Sequence, residues 1–216
     1  QDEKIPLRYG VLGQETTGPG GFMKAQRTIP VLLALCRKME KYCPNAWLIN
    51  FTNPAGIVTE AIAKYSPIKS LGICSGANSM MRDIASVYGV EREEVYARFI
   101  GLNHLIFADR ITVNGEDVTR HFIEQLAQGV GSHTLKNVPN LGLPAEFIRA
   151  LKLYPLSYLK YFYMCREVVE HEISELQRGG TRGEQSLSIE KSLFELYRNP
   201  DLCEKPAELS ARGGAL

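Results

Sequence analysis

The sequence predicts an α/β fold: a parallel strand–helix–strand unit near the start, followed by a mixed α+β region. Three observations carry this. Residues 46–52 and 68–74 are short, nearly continuous apolar runs, as in strands buried on both faces. Asn53-Pro54 between them is a helix start, with a capping residue before a proline whose missing N–H costs nothing there. Beyond Cys74 the pattern changes to amphipathic helices and alternating strands.

Taken in order, Gly18-Pro19-Gly20-Gly21 reads as a break in the chain. A helix follows, with Ile29, Leu32, Leu33, Cys36 and Met39 at helical spacing and a kink or effective start at Pro30. Cys43-Pro44-Asn45 stops it, and residues 46–52 form the first strand. Asn53 caps the next helix, which runs to about Tyr65 with Ile57, Ala61 and Ile62 on one face before Ser66-Pro67 ends it. The strand over 68–74 then completes a βαβ unit, whose right-handed crossover makes both strands point the same way. Asn53 and Cys74 fall just past the strands' carboxyl ends, where open α/β sheets bind ligands. Met80, Ile84, Val87 and Tyr88 mark another helix, closed by Gly89. Strands are expected over 95–100 and 105–113, with a hairpin turn at Asn114-Gly115 and a loop over 129–144. Long helices are expected over 156–176 and 184–197. The division into domains is placed after residue 75, giving 1–75 and 76–216.

The 216 residues carry 25 Lys plus Arg against 24 Asp plus Glu, so a net charge of +1 excludes a nucleic-acid binder that works by overall charge. The 44% hydrophobic and 23% charged content is that of a globular protein and excludes disorder and fibres. The longest apolar stretch, 29–36, is far shorter than the roughly 18 residues of a membrane span. Five cysteines, never spaced as CxxC, argue against a disulfide framework or zinc ribbon. With no basic-then-apolar leader at the first residues, a cytoplasmic protein with no membrane or nucleic-acid partner is expected.

Several residues are candidates for chemistry. The thiolate of Cys74 and the imidazole of His104 can together hold a transition metal with positions left open for substrate oxygens. The plainer reading is a small buried Cys and a hydrogen-bonded His, and no zinc-type motif argues against it. Asn53 is a cap in any case, and its position adds a possible ligand contact. The glycine-rich loop 10–21 with Glu15 can cradle a ligand through backbone N–H groups, but it matches neither a dinucleotide fingerprint nor a P-loop. Tyr154, Tyr158 and Tyr161 belong to an aromatic stripe of the kind more often used for packing. Arg182 can fork a phosphate or sit in a solvated loop.

Together, Asp2 to Gly10 (DEKIPLRYG), Gly13 to Gly21 (GQETTGPGG), Ala46 to Gly56 (AWLINFTNPAG), Gly72-Ile73-Cys74, Gly101-Leu102-Asn103-His104, residues 189–197 and Arg212-Gly213-Gly214-Ala215 resemble the NAD- and manganese-dependent glycosidases of glycoside hydrolase family four. Within it they are closest to the 6-phospho-β-glucosidases. The resemblance implies the later part of a Rossmann-type parallel sheet followed by a mixed substrate and oligomerisation domain. It implies Cys74 and His104 as manganese ligands and Glu15 as the catalytic acidic residue near metal and sugar. Tyr158 matches the catalytic base, with Tyr154 and Tyr161 close in register. Thr52 and Asn53 match contacts to NAD, Asn53 and Ser75 contacts to substrate, and Arg182 the group that holds the sugar 6-phosphate. Ser75 stands where the family's phospho-sugar enzymes usually have Asn. The implied reaction is redox-assisted elimination and addition on a phosphorylated disaccharide or glucoside, by a homo-oligomer. The family's glycine-rich first turn would precede Asp2, and the family continues past the Arg212 motif, so a central fragment with a weak NAD site is expected. A lactate/malate-type dehydrogenase, which shares a strand ending in Asn-Pro, and a non-catalytic fragment that only folds and associates are the rival readings.

Overall fold

The computed structural model describes residues 1–131, 141–178, 180–204 and 206–207. A single helical turn, α1 (Lys4–Leu7), precedes a loop and then the long helix α2 (Gly18–Tyr42). The glycine cluster expected to break the chain instead opens α2. Thr17 is its N-cap and Pro19 lies in its first turn, where a proline's missing N–H costs nothing. The Gln14 side chain accepts the backbone N–H groups of Thr16 at 2.5 Å and Thr17 at 2.7 Å, satisfying donors at the helix start. Gly20 and Gly21 allow this fold-back, since a Cβ would fall 2.5 Å from the Gln14 carbonyl oxygen at one and 2.6 Å from Thr16 backbone at the other. Pro30 stays inside α2 and does not end it.

The strands β1 (Trp47–Asn50) and β2 (Lys69–Gly72) flank helix α3 (Ala55–Tyr65) and pair in parallel, from Trp47 with Lys69 to Asn50 with Gly72. The expectation of strands buried on both faces fails. Leu48 packs with Cys36, Val58, Ile62 and Ile68, whereas Trp47 is 60% and Ile49 62% exposed. Helices α2 and α3 cover one face, and no described residues cover the other. Asn53 does not cap α3 either. The Asn53–Pro54 bond is cis, and Pro54 is the N-cap. Buried Asn50 holds this turn: its side chain accepts Thr52 N–H at 3.0 Å and donates to Thr59 Oγ1 at 3.0 Å.

Helix α4 (Gly76–Tyr88) follows and ends at Gly89, whose φ of +65° is the left-handed cap that favours glycine. A second sheet then forms from β3 (Val95–Leu102), β4 (Leu105–Val113) and β5 (Glu116–Asp117), with the Asn114-Gly115 turn where expected. Helices α5 (Thr119–Ala127) and α6 (Ala145–Leu151) pack beside it, and β6 (Tyr154–Pro155) pairs with β4. Fully buried Ile84, Ala108, Ile111, Phe122, Leu159 and Val168 anchor this core, each large side chain contributing about 1.5–3 kcal/mol of burial. It is separate from the core under β1 and β2.

The single helix expected over 156–176 is broken into a 3-10 turn (Ser157–Leu159), α7 (Lys160–Tyr163) and α8 (Cys165–Arg178), with Met164 off the helical path at ψ +38°. With this break, Leu159 and Val168 both reach the core, and Tyr158 packs at its edge on the His104 ring. The last helix, α9 (Arg182–Tyr197), begins with a capping box in which the Thr181 hydroxyl accepts Glu184 N–H and the Glu184 carboxylate accepts Thr181 N–H at 3.3 Å. Arg182 is therefore the first residue of a helix and not a loop residue. The Arg212 motif and part of the 129–144 loop lie outside the described residues.

Candidate active site

A cleft of about 1130 Å³ opens where the end of β2, the start of α4, the β3–β4 turn, the 157–161 segment and the start of α9 converge. Its centre is built by a tight turn. Leu102 pairs with Leu105, so Asn103 and His104 alone close the β3–β4 hairpin, and His104 takes φ +62°. That conformation, uncommon outside glycine, aims the imidazole inward and leaves the residue 5% exposed. His104 Nε2 then stands 3.5 Å from Cys74 Sγ, at the carboxyl end of β2. Burial lowers the pKa of His104 while the nearby Glu15 charge pulls it the other way, and the neutral imidazole that results is the metal-binding form. Metal–sulfur and metal–nitrogen bonds of about 2.3 and 2.1 Å put two neighbouring donors roughly 3.1–3.6 Å apart. The observed spacing fits one shared metal. Among the described residues no group of three His, Cys, Asp or Glu completes a cage, so the remaining positions would be open to water or substrate.

Tyr158 lies flat on the His104 ring, 4.0 Å between centroids and 2° from parallel. It is 3% exposed and lines the cleft. The two register alternatives separate from it. The Tyr154 hydroxyl donates to Asp83 at 2.9 Å, away from His104, and burial raises its pKa well above the usual phenol value. Tyr161 meets Tyr158 edge-on at 5.7 Å, and its pKa is raised by burial first and then by Tyr158 and Glu172.

Glu15 reaches the same cleft from the turn before α2. Lys24 Nζ binds one of its carboxylate oxygens at 2.8 Å, and Asn53 Nδ2 donates to the other at 3.2 Å. Asn53 thus joins Glu15 to the end of β1. Thr52 is exposed beside it, its N–H on Asn50 Oδ1, and is not part of the cleft wall. Ser75 is the N-cap residue of α4 and faces the cleft. Arg182 lines the far end, next to Gly183, whose N–H donates to both Glu3 carboxylate oxygens at 3.0 and 3.1 Å. Glu172 lies nearby, and burial, with Glu3 and Glu175, raises its pKa towards the neutral acid.

The sequence reading missed Lys24, Arg82, Asp83 and Glu172 as cleft residues. Lys24, nine residues beyond Glu15, could have been found only from a helix folding back over its own entry loop; the others lie at ordinary positions on α4 and α8.

A cysteine–imidazole pair beside a buried phenol, with Cys74 just past the carboxyl end of a parallel strand, is a donor set that can take a metal ion next to a tyrosine hydroxyl. The family 4 glycosyl hydrolase model matches residues 1–90, and the family 4 glycosyl hydrolase C-terminal domain matches residues 99–215. This chain belongs to family 4 of the glycosyl hydrolases. It is 43% identical over its whole length to the protein named "Probable 6-phospho-beta-glucosidase" of Bacillus subtilis (strain 168), covering 49% of that protein. It is 41% identical to the 6-phospho-beta-glucosidase of Escherichia coli (strain K12), with 99% of this chain and 48% of that one covered. The 6-phospho-beta glucosidase of Thermotoga maritima, solved with manganese, NAD+ and glucose-6-phosphate, superposes with a TM-score of 0.78 at 35% identity, over 97% of this chain and 48% of that one. The chain spans about half the length of the curated relatives it matches. Family membership sets aside the dehydrogenase reading. No helix among the described residues is long and apolar enough to cross a membrane.

Proposed function

We propose that this chain forms the metal- and substrate-holding part of a 6-phospho-β-glucosidase that works by redox-assisted elimination and addition. The observation that carries the reading is the Cys74–His104–Tyr158 arrangement, which places a phenol directly on an imidazole that faces the Cys74 sulfur. The names of the relatives, and the NAD, manganese and glucose-6-phosphate in a solved one, support the substrate and cofactors. When bound, NAD would accept a hydride from C3 of the sugar and manganese would stabilise negative charge that develops as the C2 proton leaves.

Cys74 and His104 would hold the manganese. Tyr158, stacked on the His104 ring, would act from its phenolate form, its oxygen taking up the C2 proton to become the phenol. Glu15, fixed by Lys24 and Asn53, orients the sugar beside the metal as the second catalytic group. Thr52 and Asn53, at the end of β1, contact NAD, and Asn53 also touches the sugar. Ser75 and Arg182, which line the cleft, bind the 6-phosphate. Residues 1–75 are the later part of the NAD-binding domain, and 76–216 are part of a substrate-binding and oligomerisation domain; the separate cores support the division for residues 29–68 against 80–168, while Leu12 packs on the second core. Exposed Leu102 and Phe194, at 79% and 64%, support a homo-oligomer. We place the enzyme in the cytoplasm.

The test is turnover of a 6-phospho-β-glucoside by the full-length, NAD- and manganese-loaded protein. Tyr158→Phe should keep metal binding and the ring stack but lose about 10²–10⁴ in kcat. A variant with wild-type kcat would remove Tyr158 as the base.

A further inference from the structure

A second cavity, of about 120 Å³, lies behind the cleft at the turn that carries Tyr158. Its polar wall comes from Tyr154 in β6, Ser157 in the turn, Lys160 at the start of α7, and Ser79 and Asp83 in α4, and apolar side chains such as Leu126, Ile148 and Leu156 make the rest. Ser79 and Asp83 also line the cleft, so one face of α4 separates the two spaces. The polar groups here are deeply placed. Lys160 is 3% and Tyr154 6% exposed, and the Tyr154 hydroxyl donates to Asp83 Oδ2 at 2.9 Å. Ser157 Oγ is buried and has no protein partner among the described residues. A buried ammonium is costly unless paired and hydrogen-bonded, and burial lowers the pKa of Lys160 below that of an ordinary lysine. Asp83 is the carboxylate in the same wall.

We propose that Asp83 and Lys160 are positioning residues for Tyr158: with Tyr154 and Ser157 they form a polar clamp that holds the 154–160 segment against α4. Helix α4 starts two residues after Cys74, so the clamp sets the distance between the thiolate and the phenol. Neither residue touches the reacting atoms. A displacement of about 1 Å in such a constellation can cost roughly a hundredfold in rate. The inference rests on Tyr158 being the base.

The experiment is a double-mutant cycle in the full-length, NAD- and manganese-loaded protein, with kcat, KM and thermal unfolding measured together. Asp83→Asn and Lys160→Met should each lower kcat about tenfold or more, leave KM within about twofold, and be non-additive, the double variant losing less than the product of the singles because no lone buried charge remains. Lys160→Arg, which keeps the charge, should recover most of the kcat lost in Lys160→Met. Losses that multiply, or a KM that rises as much as kcat falls, would overturn the clamp. If a single variant does not fold, Tyr154→Phe removes only the hydroxyl on Asp83 and decides the matter: a several-fold fall in kcat at constant KM supports the clamp, and an unchanged kcat refutes it. Tyr158→Phe in the same series separates the two claims. An inactive Tyr158→Phe beside unaffected Asp83 and Lys160 variants sinks the clamp alone, whereas an active Tyr158→Phe sinks the reading of the base.

Discussion

Removing His104 should abolish tight manganese binding without unfolding the protein, provided the replacement suits the backbone. His104 lies at φ +62° in a tight hairpin turn, a left-handed conformation whose strain any residue with a Cβ bears, so Ala would keep it. Glycine takes that conformation at no steric cost, so His104→Gly isolates the ligand from the turn. The ring stack on Tyr158 is lost too, which costs about 0.5–1.5 kcal/mol of stability. The described residues offer no group of three metal-binding side chains, so on the proposed assignment Cys74 and His104 would supply the protein's share of the grip. Losing a mere outer partner of a metal ligand costs about 10–100-fold in affinity. Losing one of two direct donors should therefore exceed about 100-fold, or about 2.7 kcal/mol. Titration calorimetry with manganese chloride at neutral pH, on wild type, His104→Gly and Cys74→Ser, measures this. His121→Asn is the control, since His121 bonds Tyr88 on the surface and is not part of the cleft wall. Manganese affinity unchanged in both site variants would refute the assignment.

Three further outcomes are expected. Arg182→Lys replaces a bidentate fork by a point charge, so the preference for phosphorylated over plain glucosides should fall about ten- to a hundredfold in kcat/KM, from about 1.5–3 kcal/mol; an unchanged ratio removes Arg182 from the phosphate site. Gly101 has φ +102°, and a Cβ there would lie 2.1 Å from the Leu105 carbonyl oxygen, so Gly101→Ala should lower stability by at least about 2 kcal/mol in denaturant unfolding and weaken metal binding through the adjacent His104 turn. The raised pKa of Glu172 means the native state binds more protons than the unfolded state once pH passes the ordinary carboxylate value; its contribution is present below that value and is lost as pH rises through the raised one. Melting temperatures of wild type should therefore fall relative to Glu172→Gln as pH increases across that window, and parallel curves would show that Glu172 is not desolvated.

Some of this molecule is decided by its local sequence. The strand–helix–strand unit over 47–72 follows from two apolar runs around a helix-forming segment, and Gly89 and Asn114-Gly115 end their elements because only certain residues take left-handed backbone cheaply. The motifs around Glu15, Asn53, Cys74 and His104 were legible as chemistry because long, ordered runs of residue types matched a family. Tertiary packing decided the rest. The glycine cluster looked like a break because local propensity penalises glycine, but Gln14 folding back over Gly20 and Gly21 makes it a helix start. Asn53 looked like a cap because its neighbours are helical, but its amide is drawn across 38 positions to Glu15. The break at Met164 is invisible in a continuous amphipathic pattern, because the demand that Leu159 and Val168 reach one core while Tyr158 reaches His104 is a condition on distant atoms. The choice of Tyr158 over Tyr154 and Tyr161 belongs with these. Sequence places all three on one short segment, and only the packing of that segment against α4 and the β3–β4 turn brings one phenol onto the imidazole and turns another towards Asp83. Local periodicity specifies which face a side chain takes, but long-range contacts specify what it meets there, and catalysis depends on the second.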